Sequence, residues 1–81
     1  ERGKPYPDPY FNGAKKLGVS PEDCIVVENA PLGISSAKSA GMYCVAICST
    51  LNKTHLKEAD EIVDNIKNIK ETNIFKEILN F

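Results

Sequence analysis

The stretch Cys24-Ile25-Val26-Val27-Glu28-Asn29-Ala30-Pro31-Leu32-Gly33-Ile34-Ser35-Ser36-Ala37-Lys38-Ser39-Ala40-Gly41-Met42-Tyr43-Cys44-Val45-Ala46-Ile47-Cys48 decides the architecture. It opens and closes on unbroken apolar runs, Cys24 to Val27 followed by the carboxylate of Glu28, and Tyr43 to Cys48. Runs of this length without alternation read as strands buried on both faces. Between them Ile34, Ala37, Lys38, Ala40 and Gly41 recur at helical spacing. Pro31 suits a first turn and Gly41 a stop, so a helix is expected over about Pro31–Ala40. Its small residues permit close approach to a sheet. Strand, helix and strand joined by short connections make a right-handed βαβ unit with parallel strands, and hence an α/β fold.

Working outward, Pro5, Pro7 and Pro9 impose an extended entry without backbone donors. Asp8 is expected to cap a helix over about Pro9–Leu17, with Tyr10, Phe11, Ala14 and Leu17 as its apolar stripe and Gly18 at its end. Ser20-Pro21-Glu22-Asp23 reads as a turn into the first strand. Downstream, Ser49 to Lys53 is polar loop, Thr54 is placed to cap a short helix reaching Ala59, Glu61-Ile62-Val63 reads as a third short strand, and an amphipathic helix around Ile74–Leu79 closes the chain. There is no repeat and no low-complexity segment.

At 81 residues the chain is one domain at most, here taken as residues 1–81. A domain of this size buries only about 60–65% of its unfolded surface, so marginal stability in isolation is expected. Its 42% hydrophobic and 26% charged residues are those of an ordinary globular protein. Ten basic and eleven acidic residues leave a net charge of -1. No broad basic surface advertises nucleic acid or an anionic membrane, and no run approaches the roughly 18–20 apolar residues of a membrane span. The chain opens on Glu1 rather than methionine, as a processed or truncated piece of a longer protein would. Cys24, Cys44 and Cys48 form no CxxC pair. On one strand the four-residue spacing of Cys44 and Cys48 would hold them about 13 Å apart, beyond disulfide reach. Reduced, buried thiols in a cytoplasmic protein are expected.

In an open parallel sheet, ligands gather beyond the carboxyl ends of the strands. Three side chains are therefore candidates. Glu28 ends a strand, Asn29 follows it, and together they offer oxygen ligands suited to Mg2+. The helix starting at Pro31 aims backbone N–H groups at the same rim, which suits an anion. Lys4, held between Gly3 and the proline-stiffened segment, supplies a fixed cation for a phosphate. Composition alone favours blander readings: a carboxylate at a strand end is more often a cap or surface charge, and a loop lysine is more often solvated.

Two longer patterns move that balance. Gly3-Lys4-Pro5-Tyr6-Pro7-Asp8-Pro9-Tyr10 resembles the GKPxPDxY/F segment of haloacid-dehalogenase-like hydrolases of the β-phosphoglucomutase and phosphoglycolate-phosphatase type. Val26 to Met42 resembles their VxEDSxxGIxAAxxAGM segment. The two occur in order with the right helix between them, and the resemblance extends over residues 3–48. It implies the C-terminal part of a Rossmann-like, three-layer catalytic core with parallel strands and flanking helices, whose first strands and cap domain are not in these residues. It implies that Lys4 steadies an aspartate nucleophile and the phosphoryl oxygens, that Glu28 and Asn29 belong to the acidic pair around Mg2+, and that Gly33 allows close helix approach. It implies an enzyme acting on a small phosphorylated metabolite, such as a sugar phosphate, through an aspartyl-phosphate.

The chain departs from that family pattern twice. Asn29 stands where the family often has aspartate, which removes one negative charge while keeping a carbonyl ligand. The DxDGTxxD segment with the nucleophile is absent, as is the Ser/Thr motif of the second strand. An unpaired strand edge is therefore expected beside Cys24–Glu28. The 81 residues alone should be inactive, and should need the missing N-terminal part of the protein, associate with another copy, or stay partly unfolded. The competing reading is a non-catalytic interaction module built on the same fold. A dinucleotide-binding or receiver-type domain lacks its motifs here. His55 is given no role, and Tyr6 and Tyr10 are read as packing residues, Tyr6 lying near enough to Lys4 to touch a bound substrate.

Overall fold

The computed structural model describes residues 2–49 and 52–79; Thr50 and Leu51, within the expected polar loop, lie outside them. Three strands, β1 (Ile25–Glu28), β2 (Tyr43–Ile47) and β3 (Glu61–Val63), form a parallel sheet in the order β1-β2-β3. Register pairs Val26 with Cys44, Glu28 with Ala46, and Val45 with Glu61. Around it stand α1 (Asp8–Leu17), α2 (Pro31–Ser39) and α3 (Asn73–Leu79). The expected parallel α/β architecture is present.

Side chains alternate across a strand, so Val26, Cys44, Ala46 and Ile62 share one face of the sheet. That face is closed by α1 through Ala14 and by α2 through Ile34 and Ala37, with Leu56 joining the same core. Ile34, Ala37, Cys44 and Ala46 are completely buried. Small residues at 37, 44 and 46 let α2 lie close to the sheet. The helix ends as its sequence implies, with Gly41 at φ 79°; Gly18 ends α1 at φ 72°.

The opposite face carries Val27, Val45 and Glu61. Here the expectation that the first strand is buried on both faces fails: Val27 is 40% exposed. β1 is an outer strand of this sheet, and α1 and α2 both lie on the Val26 side. The front face is covered nearer β3, where the Glu61 carboxylate accepts the N–H groups of Asn73 and Ile74, at 2.8 and 3.0 Å, and so seats the start of α3. Beside the outer edge of β1 an open, mainly apolar groove of about 540 Å3 runs along α1, lined by Tyr10, Ala14, Leu17, Ile25 and Met42.

Local corrections fall at the caps. Asp8 does not cap α1; Pro7 holds that position, and the Asp8 carboxylate turns to the Arg2 guanidinium at 3.3 Å and accepts the Arg2 backbone N–H. Arg2 in turn stacks on the Tyr6 ring, 4.3 Å from its centroid. Thr54 is not a cap. Asn52 accepts the Thr54 N–H, and the helix expected to reach Ala59 is a single tight 3₁₀ turn, Lys53–Leu56. A further 3₁₀ segment, Ile66–Glu71, begins at Asn65, whose side chain accepts the Lys67 N–H. In both, an Asn side chain satisfies the first free donor.

Candidate functional site

Glu28 falls on the same face of β1 as Val26, which sends its carboxylate under α1 and α2 rather than into solvent. Its position is defined by four neighbours. The Tyr10 hydroxyl on α1 donates to Oε1 at 3.0 Å, and the Lys4 ammonium reaches the same oxygen at 3.3 Å. The Ala30 N–H donates to Oε2 at 3.4 Å. The fourth neighbour is Gly33, in the first turn of α2. A Cβ there would come within 2.6 Å of Oε1 and would overlap Oε2 and Cδ. The carboxylate therefore occupies the space that a glycine leaves open, and Gly33 serves the approach of Glu28 itself as well as that of the helix.

The electrostatics follow from those contacts. Burial pushes the Glu28 carboxyl upward, but the Tyr10 hydroxyl, the Lys4 ammonium and the Ala30 N–H together outweigh it and hold the group below the usual carboxylate range. Tyr10 is pushed up to about 12, first by burial and then by its hydrogen bond to Glu28 and the nearby negative charge. At neutral pH Glu28 is therefore a carboxylate and Tyr10 a neutral phenol. Lys4 is the exposed member, its side chain 44% accessible against 14% for Glu28, and its ammonium lies 5.9 Å from the Tyr10 ring centroid. It can therefore turn to an incoming anion without unburying the carboxylate.

The loop bearing Lys4 is anchored from behind. Ser36 of α2 is wholly buried and its hydroxyl donates to the Tyr6 carbonyl. The Lys4–Pro5 peptide is cis. Of the three residues expected at the site, the structure brings Lys4 and Glu28 into direct contact, while Asn29 follows Glu28 at the strand end and is exposed. Tyr10, read from sequence as a packing residue, does pack against the core but also holds Glu28. Its position in the first turn of α1 and the apolar stripe around it gave no sign of a polar task. Ser36 was likewise not singled out, being one serine among three in a small-residue helix.

Among the described residues no group of three or more His, Cys, Asp or Glu side chains gathers as a metal site. The donors at this strand end, the half-buried Glu28 carboxylate and the exposed amide of the next residue, Asn29, are hard oxygens. They fit Mg2+, which is commonly held by one or two carboxylates with the rest of its shell from water and substrate phosphate. They do not suit a softer ion that prefers thiolate or imidazole. No described helix is long and apolar enough to cross a membrane.

Comparison with known proteins agrees with the fold. Residues 1–41 match the family model of the haloacid dehalogenase-like hydrolases. The chain is 39% identical over 72 residues to hexitol phosphatase A of Escherichia coli, an alignment covering 89% of this chain and 33% of that protein. It is 50% identical over 46 residues to the β-phosphoglucomutase of Bacillus subtilis, covering 57% of this chain and 20% of the relative. Among solved structures, a family IA variant 3 HAD hydrolase from Entamoeba histolytica superposes with a TM-score of 0.79 at 36% identity, over 98% of this chain and 36% of that one. The chain thus spans about a third or less of the length of these proteins.

Proposed function

This chain belongs to the haloacid dehalogenase-like hydrolase family, and on that premise we propose that it forms the cation-and-phosphate side of a Mg2+-dependent phosphatase or phosphomutase acting on a small phosphorylated metabolite. The observation that carries the reading is the 3.3 Å pairing of an exposed ammonium, Lys4, with a nearly buried carboxylate, Glu28, at the carboxyl end of a parallel strand. A catalytic centre for phosphoryl transfer needs a cation for the phosphoryl oxygens and an oxygen ligand for a metal, side by side. Two of the relatives are named for acting on phosphorylated sugars or polyols, which supports the substrate class.

In this reading Lys4 turns its ammonium to the phosphoryl oxygens and neutralises charge that builds up during transfer. Glu28 supplies a carboxylate ligand and Asn29 its amide oxygen. Bound Mg2+ would contribute electrostatic stabilisation of the transferring group. With an amide at position 29 the site carries one negative charge fewer than a Glu-Asp pair, so Glu28 bears more of the ligation. The nucleophile is an aspartate contributed by the remainder of the protein. Its carboxylate attacks phosphorus as the ester P–O bond breaks and the alcohol leaves with a proton; water, or a second substrate hydroxyl, then gives up a proton and takes the phosphoryl group as the aspartyl P–O bond breaks and the carboxylate is freed. A cytoplasmic setting accompanies this reading, in keeping with cysteines that form no CxxC pair.

The test is release of inorganic phosphate by the full-length protein from a panel of hexose, hexitol and glycerol phosphates. Turnover that stops with a chelator and returns with Mg2+ is expected; turnover indifferent to the chelator refutes the metal assignment.

A further inference from the structure

We propose that Tyr10 is a positioning residue which dictates the oxygen that Glu28 presents to a metal ion, and thereby biases the site toward Mg2+ over Ca2+. The inference rests on the reading of Glu28 as a metal ligand. It starts from a count of lone pairs. A carboxylate has about four acceptor sites, two on each oxygen. On Glu28, Oε1 already accepts from both Tyr10, at 3.0 Å, and Lys4, at 3.3 Å. Among the described residues Oε2 accepts the one longer contact from the Ala30 N–H, at 3.4 Å. One acceptor site on Oε2 is left for a cation.

Lys4 does not hold Oε1 permanently in this scheme, because its ammonium is the group that turns to phosphate. Tyr10 stays. It is half-buried on α1, packed against the core, and its hydroxyl has no reason to follow an anion. Both carboxylate oxygens rest against the first turn of α2, where Gly33 leaves open the room that a Cβ would take. With Oε1 held by a fixed donor, Oε2 is the oxygen better placed to ligate, and a carboxylate tied in this way favours monodentate over bidentate ligation. Monodentate ligation suits the small, strictly octahedral Mg2+ shell, whereas Ca2+ accepts six to eight oxygens and readily takes both from one carboxylate. The hydroxyl of Tyr10 therefore works against the bidentate grip that would favour Ca2+.

Tyr10→Phe removes that single hydroxyl and keeps the ring in its place. Calorimetric titration of the full-length protein with MgCl2 and with CaCl2, without substrate, measures both constants in the wild type, in Tyr10→Phe and in Glu28→Gln; thermal melts verify that each is folded. The expected result is weaker Mg2+ binding and a fall of about fivefold or more in the Mg2+/Ca2+ ratio for Tyr10→Phe, in keeping with the effect of outer partners on metal affinity. An unchanged ratio in Tyr10→Phe, with binding lost in Glu28→Gln, overturns the role of Tyr10 alone. Wild-type Mg2+ binding in Glu28→Gln overturns the ligand assignment and this inference with it.

Discussion

The Glu28 carboxylate occupies the volume in which a side chain on Gly33 would have to stand. Gly33→Ala is therefore a change to the site made from the helix. Alanine is the better helix former by about 1 kcal/mol, so α2 should survive while the carboxylate is driven away from Tyr10 and Lys4. The expected outcome is a folded protein with phosphatase turnover reduced about 10- to 100-fold, the usual cost of disturbing a metal-site partner, checked by steady-state kinetics beside circular dichroism.

Ser36→Ala tests the anchor of the Lys4 loop. The Ser36 hydroxyl is buried and bonded to the Tyr6 carbonyl, two residues from Lys4. Leaving that carbonyl unpaired should cost about 1–2 kcal/mol in urea unfolding, and the loosened loop should raise KM for the phosphate ester. A variant with wild-type stability and KM would show that the loop is held by other contacts.

Asp60 ties the central strand to α2. One of its oxygens, Oδ2, accepts the Cys44 N–H at 2.7 Å and the Lys38 ammonium at 2.8 Å. Asp60→Ala strands a donor at the start of β2 and should lower stability by about 2 kcal/mol. Asp60→Asn, which keeps an acceptor, should lose distinctly less; equal losses in the two variants would contradict this account.

Glu61 introduces a dependence on acid. Burial would raise its carboxyl, but the Asn73 and Ile74 N–H groups and the Tyr43 hydroxyl prevail and hold it below its ordinary value of 4.5. Because the folded value is the lower one, the stabilisation is complete above pH 4.5 and is lost as pH falls through the depressed value. Glu61→Gln should therefore be less stable than the wild type near neutrality, by about 1 kcal/mol as for a lost cap. The gap should close in melts below pH 4. A constant gap across that range would show that the carboxylate charge is not what seats α3.

Much of this was legible beforehand because it depends on period and punctuation. The apolar runs around 25–27 and 43–47, the helix between them, and the stops at Gly18 and Gly41 follow from local chemistry, and the third strand at Glu61–Val63 was read from the same signals. Lys4 and Glu28 were identified as candidates from their places at a strand end and in a stiffened loop, and they do meet. What escaped depends on contacts between distant residues. Arg2 drew Asp8 away from capping, Asn52 and Asn65 took the caps that local reading gave elsewhere or not at all, and nothing in the sequence around Tyr10 reveals that its hydroxyl reaches across to Glu28. The exposure of Val27 depends likewise on which strands and helices lie beside β1, a matter of tertiary arrangement.

The most direct test of the central claim is Mg2+-dependent phosphate release by the full-length protein carrying Lys4→Ala or Glu28→Gln, with each variant shown to melt as a folded protein. The account predicts that both lose turnover by about two orders of magnitude or more, the scale of a removed charge-stabilising group, and that Glu28→Gln also loses Mg2+ binding. Wild-type turnover in either folded variant would contradict it.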